Sequence, residues 1–187
     1  MSLFEFLMVF VSIIVGLGVT EILTGVAKQI RHRDTVTGYW VHGAGVLLIF
    51  IALIQNWWEL WSRRDLPEWT FLRLVLMLIP PASLYLVAHL IFPEPIAGSN
   101  LRQYYYERLR PVWLLALLTA ATSSTFGFFT KGESPVTGDN LSTAIMSVGF
   151  NALASSRNSL LHSLVIPGFL VVLLWDIIRW HPVFTVS

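Results

Sequence analysis

Cysteine is missing from this chain altogether. That excludes a disulfide framework, thiolate metal sites, iron–sulfur clusters and a cysteine nucleophile. Charge is also scarce: 12% of the residues are charged and 55% are hydrophobic, against about 25% charged in a soluble domain. Mean hydropathy is +0.68. A chain this poor in charge cannot clothe a globule in polar surface, so it needs a second, apolar solvent, and lipid is that solvent. The net charge of +1 offers no field for nucleic acid or acidic partners.

Long apolar runs take the place of charge. A span needs about 20 mostly apolar residues, and five segments qualify: roughly residues 3–27, 39–61, 69–92, 112–130 and 159–178. Basic loops or prolines end them, as at Lys28, Ser62-Arg63-Arg64 and Pro93-Glu94-Pro95, while Pro111 suits a first helical turn. The N-terminal run is preceded by an acid, Glu5, and by no Lys or Arg, and no small-residue cleavage site follows it. It reads as a retained first span rather than a signal peptide.

Residues 141–157 are ambiguous. Leu141, Ala144, Ile145, Val148 and Ala152 recur at helical spacing beside a polar stripe of Thr143, Ser147, Asn151 and Ser155. An interfacial amphipathic helix, a half-span or an extension of the last helix all fit. The expected fold is therefore all-α: a single polytopic bundle over residues 1–187, of five spans plus one amphipathic or half-inserted helix, with six spans as the alternative. On five spans, an N-terminus outside places seven basic residues inside and five outside. Trp57, Trp58, Trp61 and Trp69 are expected as one interfacial belt, and Trp40, Trp113, Trp175 and Trp180 as the other.

No phosphate loop, HExxH, GxSxG or potassium-filter motif is present. With no nucleophile–base pair to place, an enzyme is not expected. Ser12, Gly16, Thr20 and Thr24 stand four apart on the first span and read as a packing face, inside the bundle or between subunits. The fourth span carries Ala116, Ala120 and Ser124 flanked by hydroxyls, which either line water or bond back to their own helix.

Glu21 is the chemically interesting position. It lies about six residues, or roughly 9 Å, inside its span. A carboxylate at that depth must find a partner or stay protonated. Antiparallel helices offer His42 and His89 near the same level, and on five spans Asp176 as well. These four either bind a proton, a cation or a metal, or serve as interhelical glue, with Asp176 paired to Arg179. His162 is expected near the other end, so only one histidine pair is left for a bis-histidine heme, and no cofactor is expected.

Glu59 precedes Arg63 by one turn among the indoles of the second span's end, as an interfacial anchor or a headgroup site. Arg102, Tyr104, Tyr105, Tyr106, Arg108 and Arg110 read as tyrosines at headgroup level with arginines on anionic lipid. Pro80-Pro81 and Pro167-Gly168 are expected to bend their helices; such breaks serve substrate binding in transporters and ordinary packing elsewhere.

The run Ser12-Ile13-Ile14-Val15-Gly16-Leu17-Gly18-Val19-Thr20-Glu21 and the span end Gln55-Asn56-Trp57-Trp58-Glu59-Leu60-Trp61 resemble small, multi-span bacterial inner-membrane proteins of no assigned activity. The resemblance covers about the first third of the chain and implies a bacterial inner-membrane setting, with no functional residue attached. The leading functional expectation is an oligomeric channel or transporter for protons or small cations. The alternative is an accessory or scaffold subunit docking another membrane protein, and a heme- or lipid-binding role comes third.

Overall fold

A computed structural model describes residues 3–64, 66, 68–131 and 141–179. Six helices follow in order: α1 (Leu3–Arg31), α2 (Trp40–Leu60), α3 (Phe71–Leu90), α4 (Leu101–Lys131), α5 (Leu141–Ser155) and α6 (Ser159–Arg179). Five are long and apolar enough to cross a membrane, and α5 is a shorter apolar helix. Local chemistry sets their starts. Thr70 caps α3 by accepting from the Arg73 amide, Asn100 accepts from Arg102 and Gln103, and Asn158 accepts from Leu160.

The helices form a closed circuit, α1–α3–α4–α5–α6–α2, and α2 also reaches α3 and α4 across the interior. Leu53, Trp113, Leu153 and Ile166 are fully buried there. Outward-facing side chains are as apolar as the core: Phe71 is 80% exposed and Val148 73%. In water such a surface would aggregate, whereas in lipid it is solvated.

Side-chain contacts settle the course of α5. At the start of α6, His162 bonds Tyr105, from the start of α4. At its far end, Asp176 accepts from Ser142 at the start of α5 and lies in electrostatic range of Glu59 at the end of α2. α5 therefore runs the depth of the bundle between α4 and α6. At about 1.5 Å per residue its fifteen residues reach roughly 22 Å, short of the ~30 Å hydrocarbon core.

The bundle thus has a basic end, with Lys28, Arg31, Arg102 and Arg108, and a tryptophan end, with Trp57, Trp58, Trp61, Trp69 and Trp175. Trp175 changes ends relative to the five-span expectation because α5 crosses. Trp180 lies outside the described residues. Trp113 is not a belt residue: it is fully buried, stacked on Phe150 at 5.8 Å, with its indole N–H donated to the Tyr105 hydroxyl at 3.3 Å.

The expected bends do not interrupt their helices. α3 runs on through buried Pro80 and Pro81, and α6 through Pro167 and Gly168. Neither has the broken midplane helix of a transporter.

Candidate functional site

Glu21 and His89 meet. Glu21 Oε2 stands 3.5 Å from His89 Nδ1, long for a hydrogen bond but within ion-pair range when the imidazole is protonated. His89 is the penultimate residue of α3, whose twenty residues rise about 30 Å and so just cross the hydrocarbon. Glu21 therefore stands level with the end of the α3 span, whereas counting along α1 puts it ~9 Å inside its own. α1 simply runs on past the end of α3.

The pair lines a cleft of about 240 Å³ between the ends of α1 and α3, the loop after α3 and the first turns of α4. Thr24, Lys28, Glu94, Tyr104 and Arg108 complete its polar wall. Lys28 donates to Glu94 at 3.3 Å. The Tyr104 hydroxyl lies 2.8 Å from the carbonyls of both Leu90 and Phe92, closing the C-terminus of α3. Thr37 N–H donates to Ser99 O, and Leu101 N–H to Thr37 O, so the two loops at this end are stitched together.

His42 and Asp176 do not join the pair. His42 is 1% exposed and its Nε2–H donates to the Ile91 carbonyl at 2.8 Å, which leaves Nδ1 buried without a partner. It fixes α2 to the end of α3. Asp176 stands at the tryptophan end with Ser142, because α5 crosses and carries α6 to the opposite polarity. The same crossing brings His162 to the basic end, where sequence counting had placed it far away. There its Nε2–H donates to the Ser156 carbonyl at 2.8 Å, so Nδ1 accepts from the Tyr105 hydroxyl at 2.6 Å when the ring is neutral. Among the described residues, no three of His, Asp and Glu gather to hold a metal ion. His42, His89 and His162 each have a different partner: the Ile91 carbonyl, Glu21, and Tyr105 with the Ser156 carbonyl.

Against the Tyr105 ring, Tyr39 and Tyr106 share a hydrogen bond at 3.1 Å. Burial, helped by that bond, holds the Tyr39 phenol well above its ordinary range, so it stays protonated in neutral solution.

The Ser12, Gly16, Thr20 and Thr24 stripe faces away from the other helices and is exposed along its length. It is not a packing face inside the bundle. Only its ends turn back: Ser12 accepts from the Trp57 indole at 2.8 Å, and Thr24 lines the cleft. The residues of α1 that do pack are Leu7 and the seam of Phe4, Met8, Val11, Val15, Gly18, Ile22 and Gly25. At Gly25 an added Cβ would overlap the Phe92 ring. Sequence reading missed this seam, although its alternating three- and four-residue spacing was visible. On α4 the hydroxyls of Thr119, Thr122 and Thr125 donate to carbonyls four residues back, so they serve their own helix.

At the tryptophan end Gln55 donates to Glu59 at 3.1 Å, and the Arg63 guanidinium lies 5.1 Å over the Phe126 ring. Pulling the arginine onto an aromatic face anchors the end of α2 against α4.

No protein family, curated protein or solved structure matches the chain. Nothing ties it to the bacterial family that its first third resembles. The chain is a polytopic, highly helical, membrane-spanning protein.

Proposed function

We propose that the protein is a small channel or transporter subunit that exchanges protons or small cations at the basic end and works as an oligomer. The carrying observation is the Glu21–His89 pair, 3.5 Å apart on the wall of a polar cleft. A carboxylate beside an imidazole at the edge of the hydrocarbon is suited to trading a proton or holding a small cation. The bundle interior is filled by buried apolar side chains, so a path runs between copies rather than through one. The exposed Ser12, Gly16, Thr20 and Thr24 stripe supports this, because small residues let a second helix approach closely. The stripe ends in the cleft at Thr24, and a copy packed there would cover the half-exposed Glu21 and His89.

Orientation follows from the basic residues. Lys28, Arg31, Arg33, Arg102, Arg108, Arg110 and Arg157 belong to the basic end; Arg63, Arg64, Arg73, Lys131 and Arg179 belong to the other. This bias favours a cytoplasmic basic end, with the first helix starting outside.

Flux in proteoliposomes tests the reading. Wild type is expected to pass protons, monovalent or divalent cations under a membrane potential, with Glu21→Gln slower by about tenfold or more. Absence of all three fluxes from wild type overturns it. A second reading, an accessory subunit that docks another membrane protein, is favoured by the closed interior and by the exposed indoles of Trp58 and Trp175. Pull-down from native membranes is then expected to recover a partner, and recovery of self-association alone counts against it.

A further inference from the structure

Five arginines at the basic end, Arg31, Arg102, Arg108, Arg110 and Arg157, have no carboxylate partner among the described residues, and two of them line cavities. A second cavity, of about 460 Å³, adjoins the cleft and shares Lys28, Glu94 and Ile96 with it; Arg31 and His32 form its basic wall. Glu94 is taken by Lys28 and Glu21 by His89. Arg108 in the first cavity and Arg31 in the second have no carboxylate partner among the described residues. The Lys28–Glu94 pair is itself well exposed, at 47% and 78%, and therefore weak enough for a stronger anion to displace.

We infer that the two adjoining cavities form one phosphate-binding site, with Arg108, Lys28 and Arg31 as its cationic contacts. Guanidinium groups grip a phosphate through paired N–H donors, and the Lys28 ammonium adds a point charge. The position favours a phospholipid headgroup as the source. The site lies level with the end of α3, at headgroup height. About one turn back along their helices from Glu21 and His89, Leu17 on α1 and Leu86 on α3 are 52% and 46% exposed, an apolar bed for the acyl chains. The proposal does not require transport: binding and flux are separate readouts, and either can fail alone.

Delipidated full-length protein in neutral detergent is titrated with phosphatidylglycerol, phosphatidylcholine or soluble glycerol phosphate, following its thermal midpoint. Phosphatidylglycerol is expected to raise the midpoint saturably and more than phosphatidylcholine does. Arg108→Gln, and separately Arg31→Gln on the exposed end of α1, are expected to weaken that binding by about tenfold. Arg102→Gln and Arg110→Gln remove the same charge outside the two cavities and should leave it intact. A saturable shift with glycerol phosphate alone supports the site and assigns it a soluble occupant. Equal shifts with both lipids, or equal losses in all four variants, overturn it, since either leaves only diffuse surface charge.

Discussion

Tyr105 joins three helices: its hydroxyl accepts from Trp113 on its own helix and donates to His162 on α6, and its ring meets Tyr39 at the start of α2. Tyr105→Phe keeps the ring and removes the oxygen, leaving a buried indole N–H and a buried imidazole nitrogen unpaired. The expected cost is about 1–3 kcal/mol, read as a lower denaturation midpoint in detergent. Tyr106→Phe loses one partly buried bond to Tyr39 and should cost less. Glycine makes a second residue-level contrast. A Cβ on Gly149 would run into the Phe169 ring, whereas one on Gly16 meets open space. Gly149→Val should therefore destabilise by about 1–3 kcal/mol through overpacking, while Gly16→Ala leaves the midpoint unchanged or slightly raised.

α5 is the element whose course decides the topology. Its length is too short for an ordinary span, and its polar stripe suits an interface, so residues 141–157 alone do not say whether it crosses. Contacts at both of its ends do: Ser142 with Asp176, and the following Ser156 with His162. The chain has no native cysteine, so single cysteines report sidedness cleanly. With a membrane-impermeant maleimide, Arg33→Cys and Arg157→Cys are expected to label from one face, and Arg64→Cys and Arg179→Cys from the other. If Arg157→Cys labels together with Arg64→Cys, α5 does not cross. The packing of α1 teaches a related lesson. At about 100° per residue, a four-residue stripe drifts 40° at each step, so Ser12, Gly16, Thr20 and Thr24 wind around the helix away from the bundle. A seven-residue repeat drifts only about 20°, so Phe4, Met8, Val11, Val15, Gly18, Ile22 and Gly25 hold one face against α2 and α3.

For the molecule as a whole, the membrane setting explains why the interior and exterior are equally apolar. Burial then does little to bring copies together, and close backbone approach has to do it. Gly16→Leu puts a large side chain on the exposed α1 stripe without touching the bundle. If copies meet there, crosslinking in membranes should shift from oligomer to monomer with no loss of thermal stability. An unchanged oligomer would place the contact elsewhere and remove the stripe from the proposed path.

Composition and run length alone determined that this is a membrane bundle with five long spans, because the need for about 20 apolar residues is a property of the bilayer rather than of any contact. They also singled out Glu21 and His89, since two titratable groups near one level on antiparallel neighbours are visible by counting. Facing direction was not countable. Only the tertiary structure turned His42 to the Ile91 carbonyl, buried Trp113 and sent Asp176 and His162 to ends opposite those expected. Each depends on which way a helix is rotated or whether α5 crosses. Packing against neighbours distant in sequence sets both.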